Sequence, residues 1–148
     1  YHIVYNETLR DRVCAVSNKT HYNEMNVLSM HALIGAYQPQ GYEWVDELNQ
    51  VLAGNIEYFC DYVDEHFKGV SYSRPQGTYM VFLDCTEWCR EHGRDIQWLL
   101  DEGARVGVGY QDGRPFHGSC HIRVNLALPL SRVREACDRL DRYVFNAR

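Results

Sequence analysis

The stretch that most constrains the fold is a long amphipathic run beginning near residue 41. Trp44, Val45, Leu48, Val51, Leu52, Phe59, Cys60, Val63 and Phe67 recur at helical intervals. That period gathers them on one face of a helix of about seven turns. Such a helix is long enough to run from one structural unit into the next. Gly54 inside it costs roughly 1 kcal/mol against alanine. Gly69 stands where a C-terminal cap belongs, so residues 41–69 are read as one connecting helix.

The sequence changes style across this helix. Residues 1–40 read as a small, mainly helical piece: a strand at 2–5, a helix at 7–16, a polar turn at 17–23 and a helix at 25–37. The Gln38-Pro39-Gln40-Gly41 run is expected to break the helical pattern. Residues 70–148 alternate strands and helices as an α/β unit. Strands are expected at 70–73, 78–84, 105–108 and 120–126, and a helix at 95–101. The run TYMVFLD at 78–84 is apolar enough to be covered on both faces. Ser131 is expected to cap a last helix, with Val133, Ala136, Cys137, Leu140, Tyr143 and Val144 along one face.

Composition narrows the function classes. A chain of 148 residues is one domain's worth. A formal net charge of −5 offers no basic patch for nucleic acid or an anionic membrane. No apolar run approaches the length of a membrane span, and the first residues lack the regions of a secretory signal. Six cysteines (Cys14, Cys60, Cys85, Cys89, Cys120 and Cys137) lie within helix and strand patterns. They read as reduced core residues of a cytoplasmic protein. The chain opens without methionine on what resembles a strand already under way, which suggests a piece of a longer protein.

Several chemical constellations fail on spacing. Cys85-x3-Cys89-x2-His92 and His117-x2-Cys120-His121 do not match the common zinc knuckles, and Cys120 and His121 occupy strand positions that face opposite ways. No metal site is expected. Lys19 stands among polar neighbours that favour a solvated, charged amine over a Schiff-base lysine. No Gly-x-Ser-x-Gly elbow is present. Gly103, Gly107, Gly109, Gly113 and Gly118 do not lead from a strand into a helix in the dinucleotide pattern. His31, beside apolar helix positions, reads as structural.

What remains is residues 112–129, DGRPFHGSCHIRVNLALP, centred on Ile122-Arg123-Val124-Asn125. Arginine is rarely buried without a partner. Arg123 is therefore either an ordinary exposed or ion-paired strand residue, or it holds an anion. The planar guanidinium fork fits a carboxylate through two parallel hydrogen bonds.

The loop formed by Asp112, Gly113, Phe116 and Gly118, followed by HIRVNLALP, resembles the end of class I/II, fold-type I PLP-dependent aminotransferases. It is most similar to their cystathionine β-lyase (C–S lyase) subgroup. Three other stretches resemble the same group in the same order. They are residues 23–37 with Ala32 and Ala36, then residues 41–48 (GYEWVDEL), then Pro75-Gln76-Gly77-Thr78-Tyr79 leading to Phe82-Leu83-Asp84.

The resemblance implies a remnant of the large PLP-binding domain at 1–40, the connecting helix at 41–69 and a C-terminal α+β small domain at 70–148, its strands covered by helices. It implies that Arg123 binds the substrate carboxylate and that Asn125 steadies it. Gly77, Thr78 and Tyr79 would lie on the substrate's exit side. Tyr22 and Asn23 would approach the cofactor phosphate of a neighbouring subunit in a homodimer. The parent protein would be a PLP-dependent lyase, eliminating the β-thiolate of a sulfur amino acid such as cystathionine, or an aminotransferase. The Schiff-base lysine would lie upstream of Tyr1, which leaves this chain inactive and unable to hold PLP stably by itself. A non-catalytic small-molecule-binding module, or an aminotransferase-like domain of a regulator, is the alternative. One departure concerns backbone shape: His117 stands where the family usually has glycine.

Overall fold

The computed structural model describes residues 3–22 and 24–146. They fall into two units, 1–45 and 46–148, with the division inside the long helix.

The first unit holds α1 (Glu7–Thr20) and α2 (Val27–Ala36). Each opens on an asparagine cap. Asn6 Oδ1 accepts from the Leu9 N–H at 2.9 Å, and Asn26 Oδ1 accepts from the Ser29 N–H at 2.9 Å. α1 runs past the expected stop at residue 16, because residues 17–20 contain neither glycine nor proline. It ends at His21, whose φ of 55° puts the chain in the left-handed region. Residues 3–5 form no strand, since no strand of this unit offers them a partner among the described residues; His2 lies outside the described residues. Neither helix buries a side chain.

α3 (Pro39–His66) extends through 28 residues. The expected break at 38–41 shrinks to Tyr37 and Gln38, since proline's fixed φ suits a helix's first turn. Its buried residues Asn55, Phe59, Cys60 and Val63 all lie in the second unit.

In that unit a four-stranded antiparallel sheet is ordered β1 (Ser71–Tyr72), β2 (Met80–Asp84), β4 (His121–Asn125), β3 (Gln111–Asp112). The sheet is covered on one face only. Val81, Leu83, Ile122 and Val124 are buried, while Met80, Phe82, Asp84, His121 and Arg123 alternate with them and are half-buried. The expectation that 78–84 is covered on both faces therefore fails, because Phe82 and Met80 supply the apolar character on the open face. The unit is α+β, with helices packed on the inner face.

Three helices join α3 in the core: α4 (Thr86–His92), α5 (Ile96–Arg105) and α6 (Leu130–Leu140). Phe59, Cys60 and Val63 meet Trp88, Leu99, Val133, Cys137 and Leu140 there. Phe67 and Phe145 stack with centroids 4.3 Å apart, and the Trp88 indole N–H donates to the Phe145 carbonyl at 3.1 Å. No strand forms at 105–108. α5 extends to Arg105, and Gly107 at φ 77° lets the Val108 N–H fold back onto the Gly103 carbonyl at 2.8 Å. Ser131 is not the cap of α6. The helix starts at Leu130, and the Pro129 carbonyl accepts from the Arg132 N–H at 2.8 Å.

The only fully buried polar side chain among the described residues is Asn55, 1% exposed. Its Nδ2 donates to the Leu126 and Leu128 carbonyls at 2.9 and 2.8 Å. This pins the chain just after β4 to α3, and so fixes where β4 ends.

Candidate functional site

The open face of the sheet centres on Arg123. Strand register sets Phe82 opposite it on β2 and Gln111 opposite it on β3. Arg123 Nε donates to Gln111 Oε1 at 2.6 Å. The guanidinium carbon lies 4.1 Å from the centroid of the Phe116 ring. A cation over an aromatic face gains about 0.5–2 kcal/mol, more as water is excluded. Side-chain amide and ring thus hold the inner nitrogen and one flat face. The two terminal nitrogens have no protein partner, and no carboxylate pairs with Arg123, among the described residues. This geometry removes ion pairing from the readings left open for Arg123, and leaves an ordinary exposed strand residue and an anion holder. What the fork presents is an edge shaped for a carboxylate.

The loop that brings Phe116 over Arg123 is built by Asp112. Its carboxylate takes the Arg114 N–H at 2.9 Å and the Arg114 guanidinium at 2.7 Å. The hydrogen bonds from the Arg114 side chain and backbone hold the Asp112 pKa below the usual carboxylate range. His117 follows with φ 65°, so the left-handed conformation that glycine favours is adopted here by a histidine. Gly118 and Gly113 then close around His121. A Cβ at Gly118 would stand 2.6 Å from His121 Cβ and from Phe82 Cζ.

His121 lies on the same face two positions before Arg123. Its ring packs 4.7 Å from that of Phe82, and its Nε2 is 3.8 Å from Asp84 Oδ2. Asp84 also accepts from the Thr86 hydroxyl at 2.5 Å and the Thr86 N–H at 2.9 Å. Burial works against the Asp84 charge, but these bonds together with His121 bring its pKa below the usual value.

Asn125, exposed at the end of β4, accepts the Ala127 N–H at 2.8 Å. It shapes the turn after the strand and makes no bond to Arg123. Gly77, Thr78 and Tyr79 lie in the loop before β2, where Thr78 Oγ1 accepts the Met80 N–H at 3.3 Å. The Tyr79 carbonyl accepts the Leu126 N–H at 2.9 Å, which brings this loop beside the end of β4. The same loop and α3 enclose a groove of about 670 Å³ carrying Arg74 and Glu57. Tyr22, in the first unit, is 77% exposed, and Asn23 lies outside the described residues.

Gln111 and the contact from Phe116 were not assigned from the sequence. The strand pairing of β3 with β4 selects Gln111, and a two-residue strand leaves no periodicity to read.

Of the solved structures similar to this chain, a "PLP-bound putative aminotransferase" from Clostridium difficile 630 superposes on 94% of it with a TM-score of 0.82 and 23% identity. The PLP-bound C–S lyase from Staphylococcus hominis does so with a TM-score of 0.77 and 23% identity. Among curated sequences, a "Putative cystathionine beta-lyase" of Mycobacterium leprae (strain TN) is 35% identical over 124 residues, 73% of this chain. The chain matches the carboxy-terminal part of fold-type I, PLP-dependent C–S lyase-like enzymes. No family model matches it. The chain spans 30% of that curated relative and 35–36% of the two solved structures.

The chain holds two lysines. Lys19 ends α1 on an exposed turn, and Lys68 Nζ donates to the Asp64 carbonyl at 3.4 Å.

Proposed function

We propose that this chain forms the carboxy-terminal part of a PLP-dependent C–S lyase and supplies the arginine that binds the α-carboxylate of the substrate. The observation that carries the reading is the Arg123 fork, held by Gln111 and Phe116 with its outer edge unpaired. Residues 70–148 act as the small domain, 41–69 as the connecting helix and 1–40 as the remnant of a large domain. The remaining two thirds of the relatives' length corresponds to the part that would hold the cofactor. Tyr22 and Asn23 are proposed to reach the cofactor phosphate of a second subunit in a cytoplasmic homodimer.

Pyridoxal phosphate serves such enzymes as an electron sink for charge developing at the substrate's α-carbon. The role of this chain is positional. Arg123 fixes the carboxylate and with it the α-carbon, which lowers the entropic part of the barrier. Asn125 and the 77–79 loop shape the wall beside it, where a leaving thiol departs. Elimination from a sulfur amino acid such as cystathionine is favoured over transamination by the names of the curated relatives.

Incubating cystathionine with the whole protein that contains this segment tests the proposal. Thiol release is expected from the whole protein and none from these 148 residues. A cofactor absorbance in this chain alone that Lys19→Ala abolishes would overturn the account.

A further inference from the structure

Away from the open sheet face, register and helix geometry bring three thiols together. The β2–β4 pairing runs from Met80↔Asn125 to Asp84↔His121. One step further the Cys85 N–H donates to the Cys120 carbonyl at 2.9 Å, so the ladder continues into a Cys85/Cys120 pair. Residues facing each other in such a ladder hold their Cβ atoms about 4.5–5.5 Å apart. α4 starts here, and the Cys89 N–H donates to the Cys85 carbonyl at 2.9 Å. Cys89 therefore stands one turn beyond Cys85, on the same side of the helix. All three thiols are free.

Access differs among them. Cys85 and Cys89 are buried, whereas Cys120 is half-buried at the mouth of the cluster. Burial, and after it contact with the Cys120 thiol, pushes the Cys89 pKa up to about 12. Burial likewise raises that of Cys85. Cys89 and Cys85 therefore stay protonated, and Cys120 is the thiol that solvent reaches.

We propose that Cys89 and Cys120 form an oxidation-sensitive pair, a modification site that a peroxide closes into an intramolecular disulfide. In the first step the Cys120 sulfur attacks one peroxide oxygen. The O–O bond breaks, a sulfenic acid forms and one water leaves. In the second step the Cys89 sulfur attacks the Cys120 sulfur, its proton passes to the departing hydroxyl, and a second water leaves. Two thiols are oxidised by two electrons and one peroxide is reduced to two waters. Cys120 precedes Arg123 by three residues, so the bridge ties α4 to the start of the strand that carries the candidate carboxylate site.

The test is to treat the dilute, reduced 148-residue chain with hydrogen peroxide, alkylate the remaining thiols and map peptides by mass. The expected product has lost two of its six thiols and the mass of two hydrogen atoms. Its linked peptides contain Cys89 and Cys120, and dithiothreitol restores the parent mass. Cys120→Ser and Cys89→Ser should each abolish the bridge, and Cys85→Ala should leave it; if Cys120→Ser does not fold, Cys89→Ser decides alone. A bridge through Cys85 or Cys14, six thiols still open to alkylation, or Cys120 oxidised without a bridge would each overturn the proposal.

Discussion

The guanidinium carbon of Arg123 lies 4.1 Å from the centre of the Phe116 ring, with its Nε bound to Gln111 at 2.6 Å. Three separate parts of the chain make this arrangement. β4 presents the arginine, β3 presents the amide, and the loop closed by Asp112 and Arg114 presents the ring. A guanidinium held on its inner edge and one face keeps its outer edge in a fixed direction, and a bidentate partner then loses less freedom on binding.

The position of β4 depends on Asn55. Its amide serves two carbonyls just beyond the strand, and no other side chain reaches them among the described residues. Asn55→Ala would take the side-chain donor from both carbonyls, leaving the Leu126 carbonyl only the Leu128 N–H at 2.9 Å, and would open a small void. The expected loss is about 1–3 kcal/mol, from two lost hydrogen bonds and the unpaired capacity left behind. Urea denaturation followed by tryptophan fluorescence measures it. A change within about 0.5 kcal/mol, the range of an ordinary surface substitution, would contradict this role.

His117 carries a conformational cost, since its φ of 65° is one that side chains with a Cβ seldom adopt. A residue held in the left-handed region loses about 1–2 kcal/mol relative to glycine. Part of that is offset by the greater freedom glycine has when unfolded. His117→Gly should therefore raise stability by a few tenths to about 1 kcal/mol, and His117→Ala should not. Paired denaturation curves for the two variants decide the matter.

Much of this was legible in the sequence. The long helix, the two styles of chain on either side of it, and the isolated arginine on an apolar strand all follow from periodicity and residue chemistry. Other features depend on partners distant in sequence. Nothing local shows that Phe82 faces outward and Leu83 inward until β2 is set in register with β4. Asn55 falls within the apolar stripe of the long helix, one turn before Phe59, but nothing local shows what satisfies its amide, since its partners lie 71 and 73 residues away. The strand expected at 105–108 failed for a local reason: Gly107 was read inside that strand, when its conformation closes the preceding helix.

Asp84 gives the fold a sensitivity to acid. Its pKa in the folded chain lies below the unfolded value of about 3.9. It therefore contributes stability above that pH, and the contribution is lost as pH falls through the folded pKa. Thr86→Val removes the hydroxyl donor, bringing the Asp84 pKa back toward its unfolded value. The variant should be less stable than the parent near neutral pH and should converge with it in strong acid. Denaturation midpoints across that range give the comparison, and parallel profiles would count against it.

The most direct test of the central claim is kcat/KM for the sulfur amino acid in the whole protein carrying Arg123→Lys or Arg123→Ala. Charge-assisted hydrogen bonds are worth about 1.5–3 kcal/mol, so kcat/KM should fall about 10- to 100-fold, mostly through KM. Bound cofactor should stay at the parent level, and lysine should recover only part of the loss. Parent-like kcat/KM in Arg123→Ala, with cofactor fully bound, would show that the substrate carboxylate is held elsewhere.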